Sequence, residues 1–138
     1  MKPFFLFIIF FQLLAFAGVS QSRQVSTRKT IPGKIQYGTA SFYADKFEGK
    51  KTANGEIFTQ KGMTAAHNSL PLGTWIRVTN LSNYKSVVVK VNDRLHHKNP
   101  RLVDLSKSAA KKLGYTGHGL TKVRVEVLGK NQQMLAIN

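Results

Sequence analysis

The chain has 138 residues, and its 21 lysines and arginines far outnumber its 6 aspartates and glutamates, which gives a formal net charge of +15. It has no cysteine, and this excludes disulfide bonds, thiol chemistry, cysteine-ligated metals and a lipobox for a diacyl anchor. The charge favours anionic partners, although lysines that serve only solubility are the alternative.

Residues 1–20 have the pattern of a secretory signal peptide. Lys2 precedes an apolar run at 4–11 that extends to Ala17, and small residues follow it. A retained transmembrane anchor is the alternative, but the run falls short of the ~20 apolar residues that span a bilayer. We therefore expect export to the periplasm or the extracellular envelope, with no stable membrane anchor. For an exported chain, cell-wall polymers replace nucleic acid as the expected anionic partner.

The remaining chain predicts one domain with a linker and a tail. Residues 21–34 are polar and basic without periodicity, which predicts a flexible linker, and 130–138 form a short tail. Alternation of apolar and polar residues predicts strands at 35–43, 63–67, 74–80, 86–92, 102–104 and 121–128. One short helix is predicted at 106–113, capped by Asp104 or Ser106 and ended by Gly114. We expect a mainly β fold, a small closed barrel over 35–129, and a monomer.

Three carboxylates are candidates for acid–base chemistry. Asp93 and Asp104 each follow an apolar strand, and Glu56 follows an Asn-Gly turn. Cleavage of a glycosidic bond needs a proton donor; hydrolytic glycosidases use two carboxylates, whereas a lyase-type cleavage needs only one acid/base. The alternatives are structural: pairing of Asp93 with Arg94, an N-cap for Asp104 and a solvated loop position for Glu56.

The histidines and aromatic residues carry weaker signals. His67 ends an apolar run, which favours a buried, hydrogen-bonded imidazole. His96 and His97 are adjacent in a loop, but no third ligand stands at a metal-binding spacing, so we expect no metal and no cofactor. Successive strand residues point to opposite faces, and we expect Tyr43 rather than Phe42 to face a sugar-binding groove.

Four blocks of the sequence together resemble one family. They are GTASFYADKFEGKKTANGEIF from Gly38, MTAAHNSLPLGTWIRVTNL from Met63, VVVKVNDR from Val87 and LVDLSKSAAKKLG from Leu102. In this order they resemble the rare lipoprotein A (RlpA)-like proteins over nearly the whole predicted domain. The resemblance implies a six-stranded double-psi β-barrel with one short helix. It also implies a lytic transglycosylase that cleaves MurNAc–GlcNAc bonds of peptidoglycan without water and leaves 1,6-anhydro-MurNAc ends.

The resemblance also implies roles for individual residues. Asp93 matches the leading catalytic aspartate of the family, and Asp104 matches an aspartate of expansin-like barrels, so both are catalytic candidates. Glu56 and His67 are implied to line the substrate groove. The full set of predicted substrate-binding residues is Tyr43, Asn54, Glu56, His67 and Arg94.

The chain departs from the family pattern after Arg94. The family usually continues with Gly-Pro and an aromatic residue, whereas this chain has Leu-His-His-Lys-Asn-Pro at 95–100. Thr59 stands where many members have an aspartate, and we expect neither a lipobox nor a SPOR peptidoglycan-binding domain. The altered loop favours a second hypothesis, a non-catalytic wall-binding or wall-loosening module of the expansin type.

Overall fold

The computed structural model of the chain describes residues 31–130. The predicted signal peptide, most of the predicted linker and nearly all of the predicted tail lie outside these residues. No helix within the described part is long and apolar enough to cross a membrane. The elements are β1 (Ile35–Phe42), a 3-10 turn (Asp45–Phe47), β2 (Thr64–His67), β3 (Trp75–Asn80), β4 (Ser86–Arg94), β5 (Val103–Leu105), α1 (Lys107–Leu113) and β6 (Thr121–Gly129).

The six predicted strands and the predicted helix are confirmed, and their ends move by at most two residues. In β3 and β6 the alternation of apolar and polar residues predicts the strands correctly, because buried and more exposed residues alternate along both. Their inward side chains are at most 1% exposed and form the centre of the core, namely Ile76, Val78, Val123, Val125 and Val127.

The strands close into a barrel in the order β1-β5-β2-β4-β3-β6. β1 pairs with β5 and β2 with β4 in parallel, and the other neighbours are antiparallel. Closure leaves no free sheet edge, so strand backbone groups find partners within the barrel. The order also brings the ends of β2, β4 and β5, which are distant in sequence, side by side.

The helix cap differs in part from its prediction. Ser106 Oγ accepts a 3.3 Å hydrogen bond from the Ala109 N–H, and Gly114 ends the helix with φ at 78°. Of the two predicted caps, Ser106 is confirmed. Asp104 is wrong as a cap because it lies within β5, and its side chain accepts hydrogen bonds from Arg101.

The end of the predicted linker is bound to the barrel. The Gly33 N–H donates to the Val127 carbonyl over 2.8 Å, and the Val127 N–H donates to the Lys34 carbonyl over 2.9 Å. Hydrogen bonds between main-chain groups need no pattern of side chains, so the sequence does not predict this pairing. Residues 33–34, which the sequence assigns to the linker, therefore pair with the backbone of β6.

Candidate functional site

The two candidate aspartates lie in one row across the barrel wall. β2 runs between β4 and β5, and its Ala66 pairs with Asp93 on one side and Asp104 on the other. Neighbouring strands lie about 4.8 Å apart, so about 10 Å separates the backbones of the two aspartates. The small side chain of Ala66 leaves a groove between them, which both aspartates line.

A β-bulge in β4 directs Asp93 into this groove. Val91 pairs with Ala65 and Asp93 pairs with the next residue, Ala66, so Asn92 is an extra residue in β4. The odd-numbered valines before the bulge are buried in the core. Strict alternation would place Asp93 in the core with them. The bulge therefore gives this carboxylate its access to the groove.

Three donors hold the carboxylate of Asp93. The Tyr43 hydroxyl donates to Oδ2 over 2.5 Å, and the backbone N–H groups of Ala53 and Arg94 donate to Oδ1, each over 2.9 Å. The donors come from three separate segments of the chain. The carboxylate is therefore fixed in orientation before any ligand arrives.

Aromatic packing holds Tyr43 in place. Its ring stacks on Phe58 with centroids 4.2 Å apart and meets the edge of Phe47 at 5.7 Å. Burial, and then the hydrogen bond to Asp93, raises the pKa of Tyr43 far above its usual range, so the hydroxyl remains a donor. Tyr43 lines the groove, and Phe58 covers one face of its ring. Phe47, at 38% exposure, is the ring more accessible from the groove.

Glu56 and Asn54 hold the loop whose backbone donates a hydrogen bond to Asp93. The Glu56 carboxylate accepts from Lys90 Nζ over 2.6 Å, from Asn54 Nδ2 over 2.7 Å and from Asn92 Nδ2 over 3.2 Å. These hydrogen bonds, that from Lys90 foremost, lower the pKa of Glu56. They tie the loop at 52–56 to β4 and so keep its backbone N–H at Asp93. Neither side chain lines the groove itself, which differs from the expectation.

His67 is buried in the barrel, at 0% exposure. Its Nδ1 accepts from two backbone N–H groups of residues 69–70, each over 3.0 Å, and its Nε2 lies 2.9 Å from Gln36 Oε1. The acceptor role of Nδ1 assigns the ring proton to Nε2. Burial, with help from the charges of Arg94 and Lys34, lowers the pKa of His67 to about 4. The imidazole is buried and hydrogen-bonded, as the apolar run favours, and it does not line the groove, which differs from the position that the resemblance implies.

Arg101 holds Asp104 at the opposite wall of the groove. Its Nε donates to Oδ1 over 2.9 Å and its Nη2 donates to Oδ2 over 3.0 Å. This two-point contact is the reason that the pKa of Arg101 is raised. The side chain of Asp104 is 15% exposed. The spacing of three residues between Arg101 and Asp104 is the sequence signal for this ion pair, but Arg101 was not among the predicted site residues.

The groove has a volume of about 430 Å³. The predicted site residues that line it are Tyr43, Asp93, Arg94 and Asp104. The lining residues that sequence reasoning did not assign to the site include Lys46, Phe47, His96, Asn99 and Arg101. They lie in the 3-10 turn and in the loop after β4, where no periodic pattern marks a position. Residues 31–130 contain no group of three or more His, Asp or Glu side chains that could hold a metal ion.

Comparison with known proteins places this barrel among its relatives. A family model described as lytic transglycolase matches residues 35–125. The chain belongs to the lytic transglycolase family. The match begins with β1 and ends within β6, so it covers both aspartates and nearly the whole barrel. It confirms the predicted RlpA-like double-psi β-barrel for this lytic transglycolase domain.

Curated relatives of the lytic transglycolase domain are longer proteins. The endolytic peptidoglycan transglycosylase RlpA of Pseudomonas aeruginosa is 57% identical over 108 residues, which cover 70% of this chain and 32% of the relative. The protein of the same name from Pasteurella multocida is 44% identical over 116 residues, which cover 84% of this chain and 39% of the relative. The chain thus spans less than half the length of either relative.

Solved structures share the fold of the lytic transglycolase domain. Streptomyces papain inhibitor superposes with a TM-score of 0.59 at 19% identity, covering 72% of this chain and 99% of the inhibitor. The apo expansin of Clavibacter michiganensis superposes with a TM-score of 0.55 at 21% identity, covering 71% of this chain and 52% of the expansin. At these identities the likeness concerns the fold alone.

Proposed function

We propose that this domain is an exported lytic transglycosylase. It cleaves the MurNAc–GlcNAc bonds of peptidoglycan glycan strands and leaves 1,6-anhydro-MurNAc ends. The observation that carries the proposal is the carboxylate of Asp93, which the bulge in β4 turns into the groove and three donors hold there. The family match and the relatives named endolytic peptidoglycan transglycosylases support the substrate class.

In this mechanism Asp93 acts first as acid and then as base. Oδ1 already accepts two backbone N–H groups, so proton transfer falls to Oδ2. Oδ2 gives its proton to the glycosidic oxygen as the bond between that oxygen and C1 breaks. The C6 hydroxyl of the same MurNAc then bonds to C1 and returns its proton to Oδ2. The product carries the 1,6-anhydro ring, and no water is consumed.

Asp104 has a different task in the proposal. Arg101 occupies both of its oxygens, so this carboxylate is oriented rather than available for proton transfer. Its negative charge faces the groove opposite Asp93 and stabilises the positive charge that develops at C1. Division of the work between the two aspartates agrees with a lyase-type cleavage, which needs a single acid/base.

The proposal extends to the location and state of the protein. The signal pattern at 1–20 supports export, and the net charge of +15 supports contact with the anionic cell wall. We propose that the mature protein acts as a monomer in the cell envelope, without a stable membrane anchor and without a cofactor. Its partner is the glycan strand rather than nucleic acid.

Digestion of purified glycan strands, followed by mass spectrometry of the products, tests this function. The variants are Asp93→Asn and, as a control matched in charge, Asp45→Asn; Asp45 is exposed and does not line the groove. Wild type and Asp45→Asn should release 1,6-anhydro products, and Asp93→Asn should lose about 100-fold or more in rate. Full activity of Asp93→Asn removes Asp93 from the role. Strand binding by wild type without any anhydro product favours the expansin-type module instead.

A further inference from the structure

The barrel wall opposite the groove has an outward sheet face. In the closed ring of six strands, β6 lies three strands away from β2 in either direction. The groove lies at β2 and its neighbours β4 and β5, so β6 and its neighbours β1 and β3 form the far wall. The outward residues of these three strands, here named the outer sheet face, are Ile35, Tyr37, Thr39, Arg77, Thr79, Lys122, Arg124 and Glu126. A ligand bound there leaves the groove free.

Positive charge is in excess on the outer sheet face. Its carboxylate, that of Glu126, accepts a hydrogen bond from Arg77 over 3.2 Å and lies 3.7 Å from Arg124. Lys122 Nζ donates instead to the Thr39 hydroxyl over 3.0 Å. Three cations thus share one carboxylate, and the uncompensated charge favours an anionic ligand.

Large apolar side chains lie beside this charge. Tyr37 pairs with Arg124 and is 68% exposed, and Ile35 pairs with Glu126 and is 43% exposed. Leu120, which directly precedes β6, is 54% exposed. Exposed apolar residues that gather on one face mark a binding surface more often than scattered ones do. Here they lie at the margin of the face, and the charges lie at its centre.

The chain enters the outer sheet face from a basic segment. The backbone of Gly33 and Lys34 pairs with Val127 of β6, next to the first residues of β1. Residues 21–34 contain four arginines or lysines and no acidic residue. The sequence therefore adds positive charge directly before this face.

We propose that the outer sheet face docks reversibly on the surface of an anionic phospholipid bilayer. Lipid phosphates accept hydrogen bonds from the cations, while tyrosine and aliphatic side chains are stabilised in the interfacial layer. A soluble polyanion would pair with the cations and leave Ile35 and Tyr37 in water. A protein interface typically has an apolar centre and a polar rim, which is the reverse of this arrangement. Docking through the far wall turns the groove away from the bilayer.

Flotation of vesicles with the full mature chain tests this docking. Vesicles of phosphatidylcholine alone are compared with vesicles of phosphatidylcholine and phosphatidylglycerol in equal parts. The charge variant combines Lys122→Gln with Arg124→Gln. Its control combines Lys51→Gln with Lys61→Gln, which remove two charges from exposed positions before β2, outside the face. Circular dichroism checks that each variant is folded.

Wild type should bind the anionic vesicles in preference to the neutral ones, and added salt should release it. Each cation near an anionic bilayer contributes about fivefold in affinity, so the charge variant should bind about 25-fold more weakly. The control should stay within about threefold of wild type, because its charges lie away from the surface. Equal binding of wild type to both kinds of vesicle overturns the inference, and so does equal binding by the charge variant and its control.

A second pair of variants tests the apolar margin. Ile35→Ser should weaken binding by about threefold or more, since less apolar surface leaves water. Ile57→Ser is the matched control, because Ile57 is 58% exposed in a loop outside the face. If the charge variant loses binding but Ile35→Ser binds like Ile57→Ser, the face is a site for polyanions and docking on lipid is overturned.

Trp75 provides a readout that needs no variant. It is the only tryptophan of the chain, and it lies two residues before Arg77 in β3, on the same side of the sheet. Quenching of its fluorescence by acrylamide should fall when anionic vesicles are added, because the bilayer covers this wall. Unchanged quenching in vesicle-bound protein would assign the contact to another part of the chain and overturn the inference. The charge variant should still cut purified glycan strands at the wild-type rate, since the groove lies on the opposite wall.

Discussion

The hydroxyl of Tyr43 donates a 2.5 Å hydrogen bond to Oδ2 of Asp93, which lies 50 positions further along the chain. Tyr43 directly follows β1, and Asp93 directly follows the bulge of β4. Because Phe58 stacks on the tyrosine ring, the hydroxyl has little freedom to leave the carboxylate. The oxygen that we assign to proton transfer therefore has a fixed partner.

Tyr43→Phe should reduce kcat for anhydro-product release by about 10- to 100-fold, because the ring remains stacked while one hydrogen bond to a charged group is lost. KM should stay within about twofold and the melting temperature within about 4 °C, as the loss of one partly buried hydrogen bond implies. Tyr84→Phe is the control, since Tyr84 is 79% exposed. Wild-type kcat in Tyr43→Phe would show that the hydroxyl does not position Asp93.

Glu56→Gln should weaken the support behind Asp93. The pKa of Glu56 is lowered, so its ion pair stabilises the fold above the ordinary glutamate pKa of about 4.3 and is lost as the pH falls through the lowered value. Wild type should therefore lose stability in acid more steeply than Glu56→Gln in urea titrations. At pH 7 the cost should be below about 1 kcal/mol because the pair is partly exposed.

Glu126→Gln is the matched control for this change, since Glu126 pairs with Arg77 and Arg124 rather than with the loop at 52–56. Activity should fall in Glu56→Gln and persist in Glu126→Gln. An equal loss in both variants contradicts a specific role of Glu56 in holding the Ala53 N–H at Asp93.

His67 should make the barrel sensitive to acid. Its pKa is about 4 in the fold, below the ordinary value of about 6.5, so the unfolded chain binds the proton more readily. Stability due to neutral His67 is complete above pH 6.5 and declines as the pH falls towards 4, by about 3 kcal/mol in total. Urea unfolding between pH 7 and pH 4.5 measures the slope. It should flatten in His67→Gln and persist in His118→Gln; an unchanged slope in His67→Gln contradicts the assignment.

Gly38→Ala should destabilise the contact between β1 and the segment before β5. A Cβ at Gly38 lies 2.6 Å from Leu102 Cβ, so one strand must move. The expected loss is about 1–3 kcal/mol in the free energy of unfolding, typical of overpacking. At Gly117 an added Cβ meets no atom within 4 Å, which makes Gly117→Ala the control. Equal stability of the two variants would mean that the strands separate at no cost.

The strands and the helix were predictable because their signals are local. β6 alternates over its whole length, and α1 lies between a serine cap and a glycine stop. The site was only partly predictable because its contacts join distant segments. The spacing of Arg101 and Asp104 permits an ion pair, but the same stretch of sequence also permits Asp104 to cap the helix. The apolar run ending in His67 does favour the buried imidazole that the structure has, but its partners Gln36 and the N–H groups of residues 69–70 are not local signals.

The extra residue Asn92 shifts the alternation of inward and outward side chains in β4 by one position. Before it, odd positions build the core; after it, the next odd position, Asp93, belongs to the groove. Changes in the volume of Val87 or Val89 should therefore alter stability without turning the aspartate. If Asn92 instead took a place in the ladder as an ordinary strand residue, Asp93 would turn inward while every residue of the groove is still encoded. In this barrel the presence of an acid in the groove depends on the pairing register of a strand as much as on the identity of its residues.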